Sequence, residues 1–219
     1  LGRYADALQT LSSQGLIFHC SCSRRAVRAA DDPPGYAGTC RNGPTRSGPT
    51  ALRFRVDDAA VIRFDDRIQG PQALALQSLG DVVVRRRDGL YAYQLAVTVD
   101  DAAQGITDVI RGADLLESTA WQLAIARALG VSPPACGHLP VIVESDGRKL
   151  AKSRRSTPLD PLHCGAWLAL ALRLLRQDPP ADLDRERPSV LLDWAVHHWR
   201  PEPLRGVLAA PVREADFAS

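Results

Sequence analysis

The sequence contains no methionine, and lysine occurs only at positions 149 and 152 although the chain has 27 basic residues. Aromatic residues make up 5% of the chain, and there is no run of 18 uncharged apolar residues from which a membrane-spanning helix could form. The chain opens without Met and directly in a helical pattern, so we expect an N-terminally truncated piece of a longer protein. Since arginine serves as the cation everywhere else, Lys149 and Lys152 become candidate functional residues.

The total charge is almost balanced, at a formal net +2, so it neither excludes nor indicates a nucleic-acid partner. Two local clusters, Arg85–Arg87 and Arg154–Arg155, are candidate RNA contacts, although such runs are more often solvated surfaces. The sequence shows no secretory signal peptide, so we expect a cytoplasmic protein with five reduced cysteines and no membrane association. Reduced cysteines favour metal binding over disulfide bonds.

Hydrophobic spacing predicts the elements of the first half of the chain. Residues 1–18 have apolar positions three and four apart, then Gly15 and a short apolar run, which predicts a helix, a turn and a strand. Residues 19–50 are rich in Cys, Pro, Gly and Arg and lack a periodic apolar pattern, so this segment needs a stabiliser other than a core. Residues 51–88 carry alternating apolar and polar positions, which predict short antiparallel strands.

The second half of the chain predicts helices that alternate with strands. Residues 91–134 indicate a helix, a strand and a second helix, with Asp114 or Ser118 as the N-terminal cap of that second helix and Gly130 as its end. The run HLPVIVE predicts one buried strand, and two amphipathic helices occur further along the chain. This alternation is typical of a parallel α/β sheet, so we predict an α/β fold.

Cys20 and Cys22 are two residues apart, and Tyr36 and Cys40 follow in the same loop-rich segment. Two thiolates at this spacing and a third later in a loop can close a coreless knuckle around a metal, and zinc is the usual ion in a reducing compartment. The fourth ligand stays open on spacing alone: Tyr36 is an unusual donor, and His19 is a competitor. The alternative is three unrelated cysteines in a loop. Two further cysteines are expected to be small buried hydrophobes, Cys136 and Cys164.

Lys149 and Lys152 lie in the stretch KLAKS, directly after a predicted strand and Gly147. A lysine ammonium is a compact charge on a flexible stem, which suits contact with a phosphate chain whose charge moves during a reaction. The alternative is a solvated basic loop. Tyr93 and Arg111 are a second pair of candidates, because an Arg at the end of a strand suits a substrate carboxylate. Arg111 could instead neutralise a nearby aspartate: Asp100, Asp101 or Asp108.

Two stretches together resemble a known enzyme family. YQLAVTVDDAAQGITDVIRGADLLESTAWQ is similar to the long signature of the glutamyl and glutaminyl members of the class I aminoacyl-tRNA synthetases. KLAKS resembles the KMSKS loop of that class and departs from it at two of five positions. The resemblance extends from residue 1 to about residue 205 and is strongest to short members that lack an anticodon-binding domain.

The resemblance implies a Rossmann-like α/β catalytic core, with its first half-sheet largely missing, a zinc-knuckle and β insertion, and a C-terminal helical segment. It implies that Tyr36 completes the zinc site of Cys20, Cys22 and Cys40. Tyr93 and Arg111 would bind L-glutamate. Lys152 would contact ATP, bound with Mg²⁺, and Lys149 and Lys152 would be the catalytic pair. The expected segments are 1–18 for the end of the first Rossmann half, 19–90 for the insertion, 91–145 for the second Rossmann half, and 146–219 for the KMSKS-like loop and helices.

The implied reaction is ATP-dependent activation of glutamate to glutamyl-adenylate, followed by transfer to queuosine in the anticodon of tRNA(Asp). We expect a monomer. No stretch matches the HIGH motif of the class, so we expect this chain to be inactive alone. Two alternatives stay open: a fragment of an ordinary glutamyl-tRNA synthetase, and a non-catalytic RNA-binding module built on the same core.

Overall fold

The computed structural model describes residues 2–23, 27, 36, 38–150 and 163–212. The chain divides into two compact units. Unit 1 comprises Leu1–Asp65, Pro71–Val109 and Leu115–Cys136, and unit 2 comprises Asp66–Gly70, Ile110–Asp114 and Gly137–Ser219. Among the described residues, no helix is both long enough and apolar enough to cross a membrane.

The first part of the chain contains a long helix, a short helix and a series of strands. These elements are α1 (Gly2–Ser13), β1 (Ile17–Cys20), β2 (Ala51–Phe54), β3 (Val61–Asp66), β4 (Gly70–Ala75), α2 (Leu76–Leu79) and β5 (Val82–Arg85).

The elements that follow are α3 (Tyr93–Gln104), β6 (Asp108–Gly112), a 3-10 turn (Ala113–Leu115), α4 (Leu116–Leu129), β7 (Ala135–Leu139) and β8 (Val141–Val143). The last described part contains α5 (Cys164–Leu174), a 3-10 turn (Ala181–Arg185), α6 (Pro188–His198), a 3-10 turn (Glu202–Leu204) and β9 (Ala209–Pro211).

Unit 1 is built on the apolar face of α1 and a three-stranded sheet. Leu11 of α1 is fully buried in the same core as Val84, Leu95 and Ile125. Gly15 has φ +72°, a conformation that favours glycine, and it turns the chain from α1 into β1. β1 pairs with β2 and β2 pairs with β5, both antiparallel, in the order β1-β2-β5. The predicted helix, turn and strand over 1–18 are therefore confirmed, as is antiparallel pairing within 51–88.

α3, β6 and α4 confirm the predicted helix, strand and helix. Gly105 and Gly130 end the two helices in the left-handed conformation, as expected for a glycine at this position. The predicted cap of α4 is wrong, because Leu115 occupies the N-cap position and makes no side-chain cap hydrogen bond. Ser118 is buried, and its hydroxyl accepts a hydrogen bond from Gln94 Nε2 at 2.9 Å.

The single strand predicted for HLPVIVE is two strands, β7 and β8, separated by Pro140. Proline has no N–H to donate to a neighbouring strand, which explains why the ladder is interrupted there. β8 pairs in parallel with β9, and β3 pairs with β4 and β6 with β7. The mixed helices and strands confirm the predicted α/β class.

In unit 2, α5 and α6 share a small apolar core formed by Ala169, Leu172 and Leu191. Gly165 lies against the carbonyl oxygen of Glu186, and a Cβ at this glycine would come within 2.4 Å of that oxygen. Cys164, at the start of α5, is exposed, so the prediction of a buried cysteine is wrong at this position. Cys136 is buried, as predicted.

Candidate active site and metal knuckle

The predicted metal ligands lie together in unit 1. The sulfur atoms of Cys20, Cys22 and Cys40 all lie within 4.8 Å of one another, and those of Cys22 and Cys40 are 3.6 Å apart. Tyr36 places its phenol oxygen 3.5 Å from the sulfur of Cys20 and 3.8 Å from that of Cys22. His19 is exposed and bonds Thr50 at 2.8 Å through Nδ1, outside this group of four donors.

These distances fit a tetrahedral metal site. With Zn–S bonds of about 2.3 Å, the sulfurs of a tetrahedral zinc site lie roughly 3.8 Å apart. The sulfurs of Cys22 and Cys40 are close to this spacing, and the phenol oxygen of Tyr36 lies at a similar distance from the sulfurs of Cys20 and Cys22. The four residues can therefore hold a metal ion of the soft, thiolate-binding kind.

The surroundings of Cys40 favour its thiolate form. Burial raises the pKa of Cys40, but hydrogen bonds from Tyr36 and from the backbone of Thr45 and Ser21 outweigh it and lower this pKa to about 5. Burial also raises the pKa of Tyr36, and hydrogen bonds with Cys20 and Cys40 raise it further. A phenolate ligand at Tyr36 would therefore depend on the positive charge of a bound cation.

Arginine side chains attach the knuckle, the segment that carries Cys20, Cys22, Tyr36 and Cys40, to the rest of unit 1. Arg87 donates from Nη2 to the carbonyl oxygens of Ser21 and Cys22, both at 2.6 Å. The Arg53 guanidinium lies 3.9 Å from the centroid of the Tyr36 ring, in a cation–π contact. These contacts fix the backbone beside the candidate ligands. Residues outside the coordination sphere commonly orient metal ligands in this way.

The first basic cluster therefore has partners within the protein. Arg86 pairs with Asp88 at 2.6 Å, and Arg87 is bound to the knuckle backbone. Both arginines also line a pocket beside Cys20 and Cys22. These contacts favour a structural role for the cluster; its contact with RNA stays a prediction. The second cluster, Arg154–Arg155, lies outside the described residues.

In unit 2, Arg111 lies near the end of β6 and is partly buried. Its Nε donates a hydrogen bond to Nε2 of His138, on β7, at 3.1 Å. His138 is fully buried, and its Nδ1 lies 2.5 Å from Oδ2 of Asp66. Asp100, one of the alternative partners considered for Arg111, accepts hydrogen bonds from the hydroxyl of Tyr4 at 2.7 and 2.8 Å.

Lys149 lies close to the same end of β6. It follows a turn in which Gly147 has φ +79°, and its Nζ pairs with Oδ2 of Asp114 at 2.7 Å. Both side chains are about half exposed, so solvent screens this ion pair strongly. Asp114 belongs to the 3-10 turn that directly follows β6. Lys149 and Arg111 therefore both lie at the C-terminal end of this strand. Lys152 lies outside the described residues.

Tyr93 is the first residue of α3, in unit 1, and 49% of its surface is exposed. The helix positions behind it carry a polar network in which Gln122 donates to Oε1 of Gln94 at 2.7 Å and Gln94 donates to Ser118. Tyr93 therefore extends from a helix end whose following turn is fixed by side-chain hydrogen bonds.

None of the predicted sites includes Asp66, Gln69 or His138. Arg111 is hydrogen-bonded to His138, and Asp66 and Gln69 are hydrogen-bonded to His138 in turn. The strand sequence VIRFDD ends in two aspartates, and HLPVIVE begins with His138. A polar residue at the edge of an apolar run is a weak signal, and neither stretch indicates that the two residues pair across 72 positions.

Residues 35–175 match the family described as tRNA synthetases class I (E and Q), catalytic domain. A protein of Pseudomonas fluorescens named glutamyl-Q tRNA(Asp) synthetase is 45% identical over 209 residues, 95% of this chain and 69% of the relative. A protein of the same name from Pseudomonas aeruginosa is 47% identical over 197 residues, 90% of this chain and 66% of the relative. The chain thus spans about two thirds of the length of these relatives.

Solved structures give the same fold. The crystal structure of a glutamate-tRNA synthetase from Elizabethkingia anophelis matches with a TM-score of 0.71 at 20% identity, over 98% of this chain and 51% of that protein. A glutamate tRNA ligase from Elizabethkingia meningosepticum, crystallised with its amino acid, matches with a TM-score of 0.70 at 20% identity, over the same shares of the two chains. With well over half of its residues matched by the family, this chain belongs to the class I tRNA synthetases specific for glutamate and glutamine.

Proposed function

We propose that the protein of which this chain is part activates L-glutamate with ATP and transfers it to queuosine in the anticodon of tRNA(Asp). Membership of the class I family supports an ATP-dependent ligase. The names of the Pseudomonas relatives, at 45–47% identity, support tRNA(Asp) as the acceptor. We also propose that the protein works as a monomer in the cytoplasm, where the thiols of the knuckle stay reduced.

The observation that carries glutamate specificity is the position of Arg111. A guanidinium binds a carboxylate through two parallel N–H···O bonds, and this geometry is selective only if the plane of the guanidinium is fixed. The contact with buried His138 fixes one edge of that plane. In this proposal Arg111 binds the side-chain carboxylate of glutamate. Tyr93 is proposed as a glutamate-binding residue on the resemblance to the family alone.

With the side-chain carboxylate held, an oxygen of the α-carboxylate attacks the α-phosphorus of ATP. A new P–O bond forms, the bond from the α-phosphorus to the oxygen shared with the β-phosphate breaks, and pyrophosphate leaves. Lys152 would contact the phosphates in this step, and Lys149 would assist from its position beside Asp114. A ring hydroxyl of queuosine then attacks the acyl carbon, and AMP leaves together with the proton of that hydroxyl.

The knuckle has a structural role in this proposal. Cys20, Cys22, Tyr36 and Cys40 would hold one zinc ion, which stabilises a segment that has almost no apolar core of its own. The division of the chain into 1–18, 19–90, 91–145 and 146–219 is part of the same proposal.

The test is glutamate-dependent exchange of pyrophosphate with ATP by the full-length gene product, with and without tRNA. Ordinary glutamyl-tRNA synthetases are expected to need tRNA for this step, and we expect exchange without it here. Arg111→Ala should raise the KM for glutamate roughly 100-fold, with the KM for ATP unchanged. Arg127→Ala, on the exposed side of α4, is the matched control and should change neither constant.

Each other outcome has a defined meaning. Exchange that depends on tRNA would indicate an ordinary glutamyl-tRNA synthetase. No exchange in either condition would contradict the proposal and favour a non-catalytic RNA-binding module. An unchanged KM for glutamate in Arg111→Ala would return Arg111 to a purely structural role.

A further inference from the structure

Asp66 is the last residue of β3, directly before the turn into β4, and is almost completely buried. Its Oδ1 accepts hydrogen bonds from the backbone N–H groups of Ile68, Gln69 and His138, at 2.8 to 3.0 Å. Burial raises the pKa of this carboxyl, but these hydrogen bonds and that of the His138 ring outweigh it and lower the pKa. With one oxygen fixed by three donors, the other oxygen has a fixed direction toward the ring of His138.

The partners of His138 determine where its proton lies. An arginine Nε–H can only donate, so Nε2 of His138, at 3.1 Å from Nε of Arg111, must be the acceptor. The ring proton is then on Nδ1, where it is donated to Asp66 at 2.5 Å. The three side chains form one directed series: guanidinium to imidazole to carboxylate, with His138 neutral.

The same turn also fixes the strand that carries His138. Gln69 donates from Nε2 to the carbonyl oxygen of His138 at 2.8 Å, and its Oε1 accepts from the backbone N–H of Gly206 at 3.0 Å. Gly137 lies under the side chains of Ile68 and Ile110, where an added Cβ would come within 3.2 Å and 2.6 Å of their Cδ1 atoms. Backbone and ring of His138 are therefore both fixed from the β3–β4 turn.

We propose that His138, oriented by Asp66, is a positioning residue that sets the plane of the Arg111 guanidinium for glutamate. The five N–H donors of arginine lie in one rigid plane, so a fixed Nε–H fixes the direction of the other four. The ring of His138 does not touch substrate in this scheme; it acts through Arg111. The inference rests on the proposed function, and it adds residues of the β3–β4 turn to the determinants of glutamate recognition.

Two variants test the direction of the proton. Asp66→Asn presents an amide N–H, which favours a proton on Nε2 of His138, so two donors would face each other at Arg111. His138→Leu removes the acceptor. Both should raise the KM for glutamate roughly 10- to 100-fold in the pyrophosphate exchange assay, with the KM for ATP within about twofold of wild type. His138→Gln, which can return an acceptor oxygen toward Arg111, should recover part of the loss.

Gln177→Leu is the control for a merely structural effect. Gln177 is equally buried in unit 2 and makes three hydrogen bonds, two to the backbone of Arg200 and one to that of Leu175. Its replacement should lower stability without changing the KM for glutamate. If the Leu and Asn variants change that constant no more than Gln177→Leu does, the positioning role is wrong.

A second readout does not depend on activity. In protein labelled with ¹⁵N-arginine, the Nε–H of Arg111, assigned by its loss in Arg111→Lys, should exchange with water at least about tenfold more slowly than that of exposed Arg127. His138→Leu, or Asp66→Asn if the Leu variant does not fold, should lower this protection. An unprotected Nε–H in wild type would overturn the inference and leave the proposed function standing. A wild type that shows no exchange of pyrophosphate would overturn the proposed function and, with it, this role.

Discussion

The knuckle of unit 1 and the buried Asp66–His138–Arg111 series of unit 2 are both polar clusters in an apolar setting, but they differ in what holds them. The knuckle has four donors that can share one cation, and their segment has few apolar contacts of its own. The series in unit 2 needs no ion, because its three side chains are hydrogen-bonded to one another and the carboxylate is also hydrogen-bonded to the backbone. The folding of the knuckle should therefore depend on a metal ion, and the stability that the series contributes should depend on pH.

This difference also explains what each cluster can do. A closed site of four protein ligands is typical of structural metals, since no coordination position stays open for a substrate. The series of unit 2 ends in the partly buried guanidinium of Arg111, a positive group of the kind that binds carboxylates. In the proposed function the first cluster stabilises the fold and the second recognises glutamate. Substitutions in each cluster test that separation, from the largest expected effect to the smallest.

Removal of one knuckle ligand should have the largest effect. Cys40→Ala should lose about one zinc per chain and unfold the segment around residues 38–46, because structural zinc contributes on the order of 10 kcal/mol to folding. Metal analysis and limited proteolysis measure both effects. Cys136→Ala, which removes a buried thiol outside the cluster, should keep its metal. Full metal retention in Cys40→Ala would remove the knuckle from the account.

Removal of the buried carboxylate should have the next largest effect. Asp66→Ala leaves four hydrogen-bond donors of unit 2 without an acceptor and should cost roughly 3–5 kcal/mol at pH 7. Asp6→Ala, at an exposed position of α1, should change the free energy of unfolding by no more than about 0.5 kcal/mol. Denaturant unfolding compares the two variants, and an equal effect would contradict the fixed role of Asp66.

The same residue predicts a pH dependence. The pKa of Asp66 is lowered by folding, so its contribution to stability is present above the unfolded pKa of about 3.9 and is lost as pH falls through the folded value. The difference in unfolding free energy between wild type and Asp66→Ala should therefore be constant near neutral pH and shrink below about pH 4. A difference that grows in acid would have the wrong sign for this account.

Close packing at Gly137 should give a moderate effect. Gly137→Ala would force Ile68 and Ile110 to move and should cost about 1–3 kcal/mol, measured by denaturant unfolding. Gly2→Ala, where nothing lies within 4 Å of the added Cβ, should cause no loss of stability. If the two substitutions are equally tolerated, the packing between the β3–β4 turn and β7 is looser than described.

The ion pair at Lys149 should contribute least to stability. Both partners are about half exposed, so Asp114→Asn should cost at most about 1 kcal/mol, and less at high salt. Lys149→Ala should match that small loss of stability yet slow pyrophosphate exchange, and Lys152→Ala should slow it more. A stability loss above 2 kcal/mol from either Lys149 or Asp114 would show that this pair is structural rather than functional.

The order of the helices and strands follows from the sequence because apolar spacing and glycines are local signals. α1, α3, α5 and α6 were all predictable in this way. The clustering of Cys20, Cys22 and Cys40 was predictable for a related reason: cysteines two residues apart in a coreless segment have few other uses. The place of Tyr36 beside them followed only from the family resemblance.

The series in unit 2 was not predictable, because its members lie at positions 66, 111 and 138 and are ordinary residue types. Only the pairing of β6 with β7, and the β3–β4 turn within unit 2, brings them together. The predicted N-cap of α4 was wrong because a tertiary contact took the place of a local one. Ser118 has the chemistry of a cap, but its hydroxyl is used by Gln94 in tertiary packing.

The most direct test of the central claim is the transfer of labelled glutamate to tRNA(Asp) by the full-length protein. The acceptor should be tRNA(Asp) that contains queuosine, and the control should be the same tRNA prepared without that modification. We predict label only on the modified tRNA, in the fragment that contains the anticodon. Label at the 3′ end, or equal labelling of both preparations, would contradict the proposed function.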